Sequence, residues 1–248
     1  MKVLLRSLFG IYALLIFVAT LLIASVAYSV IFLFFPKGRA PHLAHRLISR
    51  NWAAVLHTIF FIPVTIKNRE YIDEEKKYVF VANHQSQLDI PLYALACKNT
   101  FRFLAKAELT KLPLMGFIIK NLYIAVDRND RSDRQRSLEV MKASLDEGIS
   151  VFICPEGTRN RHKDPPLLPF KDGAFRLAIA TQTPIAVLTV LNTGDKLSPL
   201  HPIALAPGRL YAIWDQPIET SGMTLEDLPL LKEKVRSMME AHLSGFRK

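Results

Sequence analysis

With 248 residues, half of them hydrophobic, the chain can form one domain with a sizeable core in addition to a membrane segment. Its formal net charge of +10 would suit nucleic acid, but the basic residues gather beside an apolar segment, with no nucleic-acid motif or aromatic stacking series; a membrane surface is the expected partner and nucleic acid is not. Two cysteines, Cys97 and Cys154, lack the paired spacing of a disulfide framework or a four-ligand zinc site, and neither a metal nor a bound cofactor is called for.

Residues 7–36 carry no charge. As a helix, residues 8–35 would extend about 42 Å, against about 30 Å for the hydrocarbon core of a bilayer. The rival reading is a cleaved signal peptide, with Lys2 and Arg6 as its basic end and Ser25-Val26-Ala27 as a small-residue cleavage site. Apolar sequence resuming over 30–35 favours a retained membrane helix. Glu70 is the first acidic residue, whereas Lys37, Arg39, Arg46, Arg50, Lys67 and Arg69 precede it, a block suited to an anionic cytoplasmic leaflet. The domain that follows is therefore expected on the cytoplasmic face.

A second helix would set His42, His45, Arg46, Ser49 and Arg50 on one face, with Leu47, Ile48, Trp52, Val55, Leu56 and Ile59 opposite, and is expected to lie on the membrane. Its rival is an ordinary amphipathic helix docked on the core. Residues 1–66 are read as a membrane-anchoring helical region and residues 67–248 as the catalytic domain. Beyond Lys67, strands are predicted over 78–82, 101–105, 123–126, 149–154, 184–190 and 209–214, and helices over 132–147, with Ser132 as cap and Gly148 as stop, and over 172–181. A last helix starts at Thr224, with Asp227 three residues on, and ends near Gly245. The predicted fold class is α/β, a mixed sheet flanked by helices.

The strand over 78–82 runs into Asn83-His84-Gln85-Ser86-Gln87-Leu88-Asp89. Residues five apart point to opposite faces of a strand and lie about 140° apart on a helix, so neither element can pair His84 with Asp89. A turn from strand into helix can. Asp89 would then hold one imidazole nitrogen and leave the other free to take a proton from a hydroxyl. The alternative is structural: Ser86-x-x-Asp89 resembles a capping box. Pro155-Glu156-Gly157-Thr158-Arg159 also comes after an apolar run. There Gly157 would let the backbone approach a ligand, Thr158 adds a hydroxyl, and Arg159 can grip a phosphate through two parallel hydrogen bonds. Standing alone, such a pentapeptide would be a turn with a solvated arginine. Cys154 beside it raises a second possibility, an acyl-cysteine intermediate, against inert packing.

Taken together and in this order, these motifs resemble the H-x-x-x-x-D glycerolipid acyltransferases, and among them the enzymes that acylate 1-acyl-glycerol-3-phosphate. Lys106-Ala107-Glu108-Leu109 with Pro113, Gly116 and Asp127-Arg128 is similar to the family's second block, and residues 155–159 match its third. Residues 168–175 resemble the stretch between the family's third and fourth blocks, and Pro184-Ile185 weakly matches the fourth. The likeness spans roughly residues 78–190 and departs at Cys154, where most relatives carry phenylalanine. It implies His84 and Asp89 as catalytic residues and Lys106, Arg128, Glu156, Gly157, Thr158 and Arg159 as substrate-binding ones. Lysophosphatidic acid is the implied acceptor and acyl-CoA or an acyl-acyl-carrier-protein the donor. Arg128 also opens a basic run with Arg131, Arg134 and Arg136, either a solvated helix entrance or a dock for the donor's phosphates or carrier.

Overall fold

The computed structural model describes residues 2–127, 130–162 and 164–246. Helix α1 (Lys2–Phe34) is followed by α2 (Ala40–Leu43), a π-helical segment (Ala44–Ser49) and α3 (Arg50–Ile59). The rest alternates: β1 (Val64–Lys67), β2 (Val79–Ala82), α4 (Asp89–Ala96), β3 (Phe101–Lys106), α5 (Met115–Leu122), β4 (Ile124–Val126), α6 (Arg131–Asp146), β5 (Ser150–Ile153), α7 (Gly173–Thr181), β6 (Ile185–Val190), α8 (Thr193–Lys196), β7 (Leu210–Trp214) and α9 (Leu228–Phe246).

The strands form one seven-stranded mixed sheet in the order β1-β7-β6-β2-β5-β3-β4. Pairing is parallel from β6 through to β4 and between β1 and β7, and antiparallel between β6 and β7. Alternation along the strands splits the core in two. Phe80, Ala82, Phe101, Phe103, Phe152, Leu188 and Trp214 point to the side covered by α1, α3 and α4. Val79, Val81, Val151, Ile153, Ile185 and Val187 point to the side covered by α6, α7 and α9. Helices cover both faces because the central strands are apolar on both. The loops after β2, β3, β4 and β5 emerge together at the carboxyl ends of parallel neighbours, the edge where open α/β sheets place ligands.

Three features of the N-terminal region go beyond the sequence pattern. The proposed boundary at residue 67 cuts β1, since Val64 already pairs with Leu210 in the sheet; the run is short and comes after Pro63, which hides it from a periodicity reading. Second, α1 is long and apolar enough to cross a membrane, yet it is not an isolated anchor. Ala13 joins the main core, and Leu21, Ala24, Tyr28 and Ile31 pack with Ala40, Ala44, Ile118 and Leu122 in a cluster of their own. Gly10 permits an especially close approach: a Cβ there would lie 1.5 Å from the Ile203 carbonyl oxygen. The outer face, with Leu4, Leu15, Ile23, Val26 and Leu33, stays exposed.

Third, the second helix faces differently than its sequence pattern suggests. His45 and Ser49 turn inward, while Leu47 and Val55 are exposed. The π-helical segment carries an extra residue per turn and shifts the faces of a continuous α-helix. Ser49 Oγ and Tyr28 Oη share a hydrogen bond of 2.8 Å, and a His45 ring nitrogen lies 3.3 Å from the Cys97 carbonyl. Burial lowers the His45 pKa to about 4, so it adds no charge near neutral pH. Leu56 is buried in the main core, as the rival docked-helix reading has it, and Trp52 stacks on Phe17 at 5.5 Å.

Two helix starts complete the comparison. Helix α6 is capped by Asp130, whose carboxylate accepts the Ser132 and Asp133 amides, and not by Ser132. An aspartate two residues earlier reaches the orphan donors of the first turn as well as serine would. Before α9, Thr224 and Asp227 form the expected capping box, around a 3-10 turn over Leu225–Asp227.

Candidate active site

β2 ends at Ala82 and α4 starts at Asp89, so the intervening turn does what neither element could. His84 Nδ1 lies 2.7 Å from Asp89 Oδ2. The same oxygen accepts the backbone N–H groups of Gln85 at 2.7 Å and Ser86 at 2.8 Å. Asp89 is fully buried, and three donors on one oxygen hold its charge there. With Nδ1 engaged as the donor to a carboxylate, Nε2 is the basic nitrogen. The His84 side chain is 19% exposed and Nε2 meets no protein partner among the described residues.

The bonds of the capping-box reading are formed as well: Asp89 accepts the Ser86 N–H, and Ser86 Oγ accepts the Leu88 N–H. Asp89 therefore shapes the turn into the helix and holds His84 with the same oxygen. Ser86 Oγ donates to the Leu197 carbonyl at 2.7 Å and accepts the Leu88 amide at 3.2 Å. Below the turn, Asn83 binds both the N–H and the C=O of Val190, at 2.7 and 2.8 Å. Tyr93 donates to the Asn83 carbonyl, with its ring stacked on Phe152 at 4.4 Å. The histidine therefore stands on a braced floor.

The loop after β5 is joined to this turn by backbone contacts. The Asn160 N–H donates to the His84 carbonyl at 2.7 Å, and the His84 N–H donates to Glu156 Oε1 at 2.8 Å. Glu156 Oε2 accepts the Leu168 N–H, also at 2.8 Å, and the residue is 3% exposed. Burial pushes its carboxyl above the usual range, and the two amides pull against that shift. Glu156, expected to bind substrate, is placed inside the protein, with one backbone donor on each oxygen.

Gly157 is closely approached by another part of the chain. Its φ of +69° suits glycine, but the space a Cβ would fill is taken by Lys171, whose Nζ would lie 2.8 Å from it. The close approach is made by a lysine of the chain itself. Thr158 is exposed and Arg159 half-buried, and the guanidinium has no hydrogen bond or ion pair among the described residues. Lys106 ends β3, one strand beyond β5, but its Nζ pairs with Glu108 at 2.9 Å on the surface. The structure thus joins His84, Asp89 and Glu156 directly and presents Arg159 beside them. Lys106 is at the same edge but turned to its own acid, and Arg128 lies outside the described residues. Asn160 and Lys171 escaped the sequence reading. Asn160 acts through its backbone, which leaves no sequence signal; Lys171 sits in the stretch over 168–175 that already resembled the family.

Comparison with known proteins agrees with this arrangement. Residues 63–190, more than half of the chain, match the family model described as Acyltransferase. The chain belongs to that family. An uncharacterized acyltransferase of Schizosaccharomyces pombe is 32% identical over 204 residues, covering 81% of this acyltransferase and 73% of the yeast protein. A 1-acyl-sn-glycerol-3-phosphate acyltransferase of Saccharomyces cerevisiae is 29% identical over 204 residues, covering 80% and 65%. In fold, the chain resembles the crystal structure of a 1-acyl-sn-glycerophosphate acyltransferase from Thermotoga maritima, with a TM-score of 0.82 at 24% identity over 99% of this chain and 98% of the other.

Proposed function

We propose that this acyltransferase moves an acyl chain from a thioester of coenzyme A or of acyl carrier protein to the free hydroxyl of 1-acyl-glycerol-3-phosphate, giving phosphatidic acid. The observation that carries the reading is the 2.7 Å contact between His84 Nδ1 and the buried Asp89 carboxylate, with Nε2 left uncommitted. Nε2 takes the hydroxyl proton as the oxygen attacks the thioester carbonyl carbon. The C–S bond then breaks, and the departing thiolate leaves as a thiol after accepting the proton from the imidazolium. Asp89 holds the ring in the right tautomer and offsets its transient positive charge. No acyl-enzyme is needed.

Arg159 supplies the phosphate contact: a half-buried guanidinium without an acidic partner among the described residues is suited to a phosphate monoester through paired hydrogen bonds. Relatives that are 1-acyl-sn-glycerol-3-phosphate acyltransferases support the same acceptor. We place the catalytic domain at the cytoplasmic leaflet, because Lys37, Arg39 and Arg46 lie just beyond the apolar helix. The purified full chain, given an acyl thioester and a panel of lysolipids, is expected to acylate lysophosphatidic acid well above monoacylglycerol and lysophosphatidylcholine. Equal rates with all three acceptors would overturn the acceptor assignment, and no transfer at all would overturn the reaction.

A further inference from the structure

The ladder between β2 and β5 stops at the pair Val81 and Ile153, three residues before His84. Past that point the two strands part, and the backbone groups of His84 need other partners. Both come from the loop after β5: the Glu156 carboxylate takes the N–H, and the Asn160 amide serves the C=O. Through its other oxygen Glu156 reaches the Leu168 N–H, so a single buried side chain ties the catalytic turn to the segment leading into α7.

We propose that Glu156 is a positioning residue for acyl transfer: it bridges the His84 and Leu168 peptides, thereby setting the imidazole against Asp89, and does not bind the acceptor. Both carboxylate oxygens are occupied by backbone donors, and almost none of the residue is exposed. A negative charge beside a phosphate would repel it, whereas the neighbouring Arg159 has the right sign and is free to bind. The bond to Asp89 spans only 2.7 Å, so a shift of His84 by a fraction of that distance disrupts it.

The inference rests on the proposed reaction, so wild type is assayed first; no acylation of lysophosphatidic acid by wild type would sink the reaction itself. Glu156→Gln keeps the shape but turns an amide N–H₂ toward one of the two backbone donors. Its kcat is expected to fall about 10- to 100-fold, the scale of a small misplacement of a catalytic group. The KM for lysophosphatidic acid should stay within about twofold, because no contact to the acceptor is lost. The proton resonance of the His84 Nδ1–H should shift or broaden in the same variant. Glu156→Asp, with the charge kept but the reach shortened by one carbon, is the second variant and guards against a misfolded Gln form. It is expected to show the same defect confined to kcat. Either variant, folded by its melting curve, with normal kcat and a raised acceptor KM would make Glu156 a substrate ligand and overturn the proposal. Unchanged kinetics in both would overturn it as well.

Discussion

The turn after β2 and the loop after β5 lie side by side but divide the work differently. In the first, almost every polar group is bound to the protein: Asp89 accepts three donors, Ser86 makes two bonds, and Asn83 is locked to Val190. In the second, Glu156 and Asn160 are used to hold the first, while Thr158 and Arg159 are left toward solvent. His84, the group proposed to move a proton, is pre-set, because rate depends steeply on its placement. Arg159, the group proposed to meet a charged substrate, is left uncommitted among the described residues, because a cation already paired would have to break that pair before binding.

Removing the proton acceptor tests this contrast most severely. His84→Ala should lower kcat by about 10²- to 10⁴-fold, the usual contribution of a positioned base, without unfolding the chain. Asp89→Asn should also act on turnover more than on binding, since the charge that offsets the imidazolium is lost while an amide oxygen can still meet the three donors. Near-normal turnover in a folded His84→Ala protein would erase the distinction between the two loops. On the other side, Arg159→Lys keeps the charge but loses the planar fork. Acceptor KM should rise by an amount worth about 1–3 kcal/mol, with kcat and donor KM little changed. An Arg159 defect confined to the thioester donor would show that the two loops are not divided as described.

The pairing of His84 with Asp89 was legible because a spacing of five fits only a turn between strand and helix, and the β-branched runs on either side marked the strands. The place of Arg159 in the loop after β5 was legible from the apolar run before it. The contacts of Glu156 were not legible, because motif matching shows that an acid is present, not which way it points. Its two partners are backbone amides 72 and 12 residues away in sequence, which no local pattern reveals. The face of the second helix was misread for a similar reason: a π-helical segment at Ala44–Ser49 alters the period that an amphipathic reading assumes. β1 escaped because four residues after a proline carry little periodicity, and its place is set by β7, far along the chain.

A smaller effect separates the backbone of the second loop from its side chains. Gly157→Ala places a methyl group against Lys171 and forces an L-residue to keep φ near +69°. The left-handed conformation alone costs about 1–2 kcal/mol, so thermal unfolding should move down by a few degrees. Acceptor KM should rise with it if displaced Lys171 disturbs Arg159. An unchanged melting curve would mean that the loop can relax and that glycine is not required there.

The smallest effect is expected at Cys154, which opens the second loop and lies next to Tyr93. Its Sγ is 3.7 Å from the Tyr93 hydroxyl, which donates to the Asn83 carbonyl beneath His84. A direct transfer from thioester to hydroxyl needs nothing from this thiol, whereas a two-step route would need it as the nucleophile. Cys154→Ser tests both at once. Serine is smaller and its hydroxyl can still meet Tyr93, so the brace survives and kcat should stay within about threefold of wild type, a barrier change of under about 1 kcal/mol. Mass spectrometry of wild type quenched during turnover should find no acyl group on Cys154. An inactive but folded Cys154→Ser protein, or a trapped acyl-cysteine, would move the covalent chemistry into the second loop. His84 would then serve to activate the thiol or to deprotonate the acceptor in a second step.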